Sequence, residues 1–208
     1  MKYWKFFIKL FILFFFGSIF GFVIENIVEL LTHPNFHIRQ GLLYGPFIPV
    51  YGIGAMMFYI ILRITDKPIA VFIVSVIIGG AVEFCASLWQ EKMFGTISWD
   101  YSNSFMNLGG RTSLLYCICW GLIGLVFLYI LPYLDRMTFL VESKECRIVI
   151  YALMFLMLCD IGVSIVASMR QTDRKIGLEP RNKIEIFLDR YYPDDFLDRV
   201  YNNKTWVK

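Results

Sequence analysis

The sequence predicts an all-α fold, a polytopic membrane helix bundle, and three observations carry that prediction. Hydrophobic residues make up 58% of the 208 residues and charged residues 18%, whereas an average soluble chain is about 45–50% apolar and about 25% charged. Mean hydropathy is +0.60. The apolar residues gather into runs as long as a bilayer-spanning helix, which needs about 20 residues. This pattern excludes disorder, a secreted disulfide scaffold and an ordinary soluble domain. A net charge of +3 is too small to argue for nucleic acid. The lipid bilayer is the first partner implied.

Five transmembrane helices are expected, over 6–31, 47–64, 69–89, 112–131 and 148–168. The first carries Lys9 near its start and Glu25 and Glu29 near its end. Its apolar run continues into Val23-Ile24-Glu25-Asn26 with no small-residue cleavage site, so it reads as a membrane helix rather than a signal peptide. The third holds Glu83, the fourth is ended by Pro132, and the fifth holds Asp160. The membrane part is therefore 1–168. The last 40 residues form a tail that holds 16 of the 37 charged groups. Within the tail, Ile184, Phe187, Leu188 and Tyr191 form one amphipathic stretch. Phe196, Leu197, Val200 and Tyr201 form another, with Pro193 between them. Both read as helices on the membrane surface, or as a docking site for a soluble partner. Basic residues tie between the two sides, and the long charged tail tips the orientation towards a C-terminus inside.

The second run has the most unusual start. From Gly41 to Ala55 it contains Gly41, Gly45, Gly52, Gly54, Pro46 and Pro49. Two readings stay open. One is a re-entrant or broken helix start that offers free carbonyls and Tyr51 to a substrate, since irregular backbone at membrane depth survives only when buried or lining a cavity. The other is a capped helix start, where proline is at home.

The intramembrane charge is ordered. The first, third and fifth helices run the same way, so their acids approach one membrane face. Gly17, Gly21, Glu25 and Glu29 recur in steps of four, as do Gly79, Glu83, Ser87 and Glu91, and Asp160, Ser164 and Ser168. Such residues share a helix face. Each stripe sets small residues for close helix approach beside polar ones. A charge inside the membrane is costly and marks a cavity or a partner. Arg111, arriving from the same face, is the natural countercharge, either paired with Glu83 or gripping an anionic substrate. The candidate substrate-binding set is Glu25, Glu83, Arg111, Tyr51, Asp100, Asn107, Glu91 and Asp160.

No cofactor or metal site is expected. His33 and His37 flank Pro34 and read as solvent-exposed. The five cysteines contain no C-x-x-C pair and read as small buried hydrophobes. Helices one and three also look duplicated. Each leads through a glycine-containing loop to a similar next helix, Tyr51-Gly-Ile-Gly in one case and Trp120-Gly-Leu-Ile-Gly in the other. Two parallel hairpin repeats plus a fifth helix would suit a transporter, with a site at the repeat interface.

These motifs resemble the type IV ABC-transporter permease family of bacterial membrane proteins (CmpB-like) over about residues 10–168. The similar features are the Glu25 region, Gly41-Leu-Leu-Tyr-Gly-Pro-Phe-Ile-Pro-Val-Tyr-Gly52, Ala81-Val-Glu-Phe84, Glu91-Lys-Met-Phe-Gly-Thr96, Trp99-Asp-Tyr-Ser102 and Asn107-Leu-Gly-Gly-Arg111. The family pattern has Asn-Gly-Arg where this chain has Gly109-Gly110-Arg111. The resemblance implies a multi-pass transport component of the bacterial cytoplasmic membrane. It implies a separate ATPase subunit, because no G-x-x-x-x-G-K-[ST] phosphate loop occurs here. A homo-oligomer is a further partner expectation. The residues alone leave two alternatives open. One is a membrane-embedded enzyme, for which no catalytic motif is recognised. The other is a scaffold or sensor signalling through the tail.

Overall fold

The computed structural model describes residues 2–32, 34–136 and 142–207, so His33 lies outside the described residues. Five apolar helices build the bundle: α1 (Lys2–Thr32), α2 (Pro49–Ile61, continued by one 3-10 turn to Ile64), α3 (Pro68–Phe94), α4 (Leu114–Arg136) and α5 (Lys144–Lys175). All but α2 are long and apolar enough to cross a membrane. Two short helices follow, α6 (Lys183–Tyr191) and α7 (Asp194–Val200). Four two-residue strands, β1 (Thr96–Ile97), β2 (Asn107–Leu108), β3 (Thr112–Ser113) and β4 (Thr205–Trp206), tie the loops of one end together. β1 pairs with β4 and β2 with β3, both antiparallel.

The expected second span, 47–64, is helical from Pro49 to Ile64 but too short to cross a membrane alone. At 1.5 Å per residue the 13 residues of α2 rise only about 20 Å, against a hydrocarbon core of about 30 Å. The missing depth is filled by the segment 34–48. The amide of Ile48 donates to the carbonyl of Ser18, midway along α1 (3.0 Å). The amide of Leu43 donates to Ser164 Oγ (2.9 Å) and that of Tyr44 to Asp160 Oδ1 (3.1 Å), both on α5. Gln40 donates to the carbonyls of Leu42 (2.7 Å) and Leu43 (2.9 Å). Pro49 does occupy the first turn of α2, as the capped reading expected, but that turn lies halfway down α1.

Three further expectations change. Pro132 does not end the fourth helix, which continues to Arg136 with the proline inside it. There Asp135 accepts from Tyr59 (3.1 Å), pairs with Arg63 and offers its carbonyl to Lys9 (3.2 Å), so α4 is held where α1 and α2 meet it. Thr112 is in β3 rather than at the head of that helix. Cys85, Cys119 and Cys159 are exposed rather than buried; on the outer wall of a membrane bundle an apolar thiol meets lipid.

Glycines set the helix pairing. A Cβ on Gly21 would lie 2.3 Å from the ring of Tyr51, and one on Gly79 would lie 2.2 Å from Trp120. Each hairpin, α1–α2 and α3–α4, thus seats an aromatic residue of its second helix on a glycine of its first. The two rings then meet each other across the seam, with centroids 5.3 Å apart. Phe58, Leu62, Val71 and Trp120 form the core around this contact.

The tail folds back on the end of the bundle where the acids lie. Leu188, Tyr192 and Leu197 share one core with Leu43 and Ala167. Of the expected amphipathic faces, Leu188 and Leu197 are buried there, while Ile184, Phe187 and Tyr191 stay exposed. Arg170, 3% exposed, is bound by both carboxylate oxygens of Asp189 (2.8 Å each). Arg174 bridges Asp189 and Asp194, each at 2.6 Å. Asn202 donates to the carbonyl of Ile38 (2.8 Å), Asn203 to that of Ser98 (3.2 Å), and the amide of Val207 to that of Gly95 (2.9 Å).

Two outcomes follow from this packing. Gly79→Ala drives a methyl into the Trp120 ring, and overpacking of this kind costs about 1–3 kcal/mol; a thermal melt in detergent should show a lower midpoint, with Gly162→Ala as the neutral control because nothing lies within 4 Å of that site. Lys204 is the second. Burial lowers it from 10.5 to about 8. Between those values the unfolded chain holds a proton that the folded chain has lost, so docking of the tail is favoured as pH rises through that window. Trp206 fluorescence should report a higher unfolding midpoint at pH 10 than at pH 8, and Lys204→Met should flatten the difference.

Candidate functional site

The two hairpins bring together a pair of carboxylates, one on α1 and one on α3. Glu25 lies four residues beyond Gly21, and Glu83 four beyond Gly79. The ring contact that fixes the glycines therefore fixes the acids one turn higher on the same face. Glu25 Oε1 accepts from the hydroxyl of Tyr51 (2.7 Å), the residue packed on Gly21. Glu83 is 8% exposed; its Oε1 accepts from Tyr101 (3.0 Å) and its Oε2 from Thr112 Oγ1 (2.7 Å). The ring of Tyr101 stacks on Tyr116, with centroids 4.0 Å apart and planes 22° from parallel. Burial and the adjacent Glu83 push the Tyr101 phenol far above its ordinary value, so it stays a neutral donor.

The guanidinium groups lie further out and are occupied. Arg111 binds Glu91 and Ser87 Oγ (3.2 Å), and leans over the ring of Phe84 at 5.9 Å. It does pair with a helix carboxylate, but with Glu91, two turns beyond Glu83. The reason is local. Thr112 turns its hydroxyl to Glu83, while the preceding carbonyl of Arg111 accepts from Trp99 Nε1 (2.8 Å). Arg39 plays the matching part on the first hairpin. It binds Glu29 at 2.7 Å and reaches Glu25 at 3.4 Å, and its amide and carbonyl are both held by the side chain of Asn26 (2.9 and 3.0 Å).

Asp100 and Asn107 shape the loop that carries Arg111 and Tyr101. Asp100 Oδ1 accepts from the amide (2.9 Å) and the hydroxyl (2.5 Å) of Ser102, which holds its carboxyl below the usual range. Asn107 donates to the carbonyls of Ser102 and Ser104 and accepts from the amide of Gly110, each at 3.0 Å. Gly110 has φ +70°, and a Cβ there would meet Asp100 Oδ1 at 2.7 Å, so only glycine fits. Gly109 has φ +58° with open space around it, a conformation that asparagine also tolerates. Asp160 stands apart from the carboxylate pair, under the segment 34–48 and the tail.

Of the eight predicted residues, the structure gathers Glu25, Tyr51 and Glu83 on the inner seam. It sets Arg111 and Glu91 at its rim and uses Asp100 and Asn107 within the loop. Sequence reasoning missed Arg39, Tyr101, Thr112 and Tyr116. Arg39 carried a signal, being the one Lys or Arg between Thr32 and Pro46. Thr112 and Tyr116 carried none, because their roles depend on how the loop closes over α3. Replacing Thr112 by Val removes a donor from a buried carboxylate, a loss of about 1–3 kcal/mol; the melting midpoint should fall, and Thr112→Ser should restore it.

Neither a curated protein nor a solved structure matches the chain. The model of one family matches residues 12–165, which take in both hairpins, both loops and Asp160 and stop short of the tail. The chain therefore belongs to the family described as "Putative ABC-transporter type IV".

Proposed function

We propose that this chain is the permease-like, membrane-embedded part of a transport system in the bacterial cytoplasmic membrane, with any ATPase supplied by a separate subunit. The cargo site is the seam between the hairpins, formed by Glu25, Tyr51, Glu83 and Tyr101, and the cargo is cationic. One observation carries this reading. Glu83 is a buried carboxylate whose partners are two neutral hydroxyls, while the nearest guanidinium groups are engaged by Glu29, Glu91 and, at longer range, Glu25. An anion entering the seam would meet two carboxylates and no free guanidinium. A cation would meet two acceptors and the faces of tyrosine rings, which attract positive charge.

Trp120, in contact with Tyr51, supplies the readout. Titrating the purified protein with tetramethylammonium, with arginine methyl ester and with succinate should change its fluorescence saturably for the cations alone. Glu83→Gln should weaken that response about tenfold or more while melting cooperatively. A response to succinate, or cation binding unchanged in Glu83→Gln, would overturn the assignment.

A further inference from the structure

Outside that seam, one buried acid is left half answered. Asp160 sits midway along α5 and is 8% exposed. Its Oδ1 accepts from the amide of Tyr44 (3.1 Å) and from Ser164 Oγ (3.2 Å). Its Oδ2 is buried and accepts no hydrogen bond among the described residues. The cations on the following turns are committed elsewhere, Arg170 to Asp189 and Arg174 to Asp189 and Asp194. A bare carboxylate oxygen in such a place is costly. An asparagine would accept the same two bonds on Oδ1 without any charge, so what the aspartate adds is the charge itself.

Three elements meet at Asp160: α5 through the Ser164 hydroxyl, the irregular segment through the Tyr44 amide, and the tail through Tyr192, which bonds Tyr44. Tyr44, on the irregular segment, shares a 2.9 Å hydrogen bond with Tyr192, at the end of α6. Tyr201, just past α7, packs against the core of Leu43 and Ala167. Asp160 acts electrostatically on both tail tyrosines. Burial lifts Tyr192 and Tyr201 to about 12, so both remain protonated and neutral. No Lys, Arg or His of the described residues faces the free oxygen, and no other carboxylate contacts it. The donor set is oxygen only, which selects hard cations. It carries one formal negative charge. Calcium and magnesium sites usually draw on more charge or on several waters, so the balance here fits an ion of charge one.

We infer that Asp160, through its unanswered Oδ2, and the oxygen groups packed about it form a second site, for a small monovalent cation, built where the irregular segment before α2 meets α5 and roofed by the tail. The ion satisfies Oδ2 and neutralises the charge. Because Tyr44 donates its amide to Asp160 and shares its hydroxyl with Tyr192, ion binding also fastens the tail to the segment 34–48. This site is distinct from the cargo seam and does not depend on it.

Thermal unfolding of the purified full chain in detergent tests the site. The salts compared are the chlorides of lithium, sodium, potassium and N-methylglucamine at equal ionic strength and fixed pH. A saturable, ion-selective rise in midpoint is expected with at least one inorganic ion over N-methylglucamine. Asp160→Asn should melt cooperatively and lose that dependence. Ser164→Ala, which removes a hydroxyl 3.2 Å from Asp160 Oδ1, should shift the half-saturating concentration several-fold, so the outcome stands even if Asp160→Asn does not fold. Glu83→Gln should keep the wild-type ion response, which separates this site from the cargo reading. Equal wild-type midpoints in all four salts, or an ion response that persists in Asp160→Asn, would overturn the site. So would stabilisation by acidification in N-methylglucamine with none from the metal ions, because the ligand would then be a proton.

Discussion

Backbone that stops being helical in the middle of a bilayer loses its internal hydrogen bonds, and lipid supplies none in return. The segment 34–48 is such a stretch, and the rest of the structure is arranged around answering it. Ser18 gives a carbonyl from α1, and Ser164 and Asp160 give acceptors from α5. The helix α5, which otherwise touches the hairpins at few places, is held to them through these bonds. The tail then covers the same segment with Leu188, Tyr192 and Leu197. The polar stripe on α5 is thus explained by the chain it faces rather than by α5 itself.

A second constraint, purely steric, aligns the acids. In lipid there is little hydrophobic drive between helices, so close packing has to come from small residues. Gly21 and Gly79 admit the rings of Tyr51 and Trp120, and those rings abut each other. The glutamates four residues further along inherit their placement from that contact. Moving either glycine would shift a carboxylate as well as a helix. Stability and site geometry are therefore coupled in this protein, and a variant that loses binding must also be checked for its fold.

The steps of four on α1, α3 and α5 were legible in the sequence because they need only helical periodicity. So was the likeness of Tyr51-Gly to Trp120-Gly, which the shared glycine contact now explains. The second helix was legible to within two residues, as 47–64 against Pro49–Ile64. The course of 34–48 before it was not legible, because hydropathy does not distinguish a helix from extended chain bedded among helices. Pairing was the other blind spot. Arg111 could reach Glu83 or Glu91 by position along the chain, and the choice is made by Gly109, Gly110 and the β2–β3 turn, which set Thr112 rather than Arg111 on Glu83. The docking of the tail depends on side chains more than 100 residues apart, such as Asn203 and Ser98. No local pattern encodes that.

The distribution of charge then decides what kind of molecule this membrane face can hold. Glu25, Glu29, Glu83 and Glu91 supply four carboxylates along the two stripes, and Arg39 and Arg111 supply two guanidinium groups. Both arginines bind the glutamates of the later turns, Glu29 and Glu91; Glu29 is itself buried, at 6% exposure, while Glu91 is partly open to water. Arg39 also reaches Glu25, at 3.4 Å, so the deficit of positive charge falls on Glu83, whose burial lowers the local dielectric and makes an unbalanced charge act more strongly. Glu29, just as buried, has its arginine, and Glu83 would gain from one in the same way, since leaving a buried charge unpaired is the costlier arrangement. Glu83 instead has Tyr101 and Thr112, neutral groups that orient a carboxylate without cancelling it. That arrangement leaves the field of Glu83 open to a positive charge arriving from outside the chain.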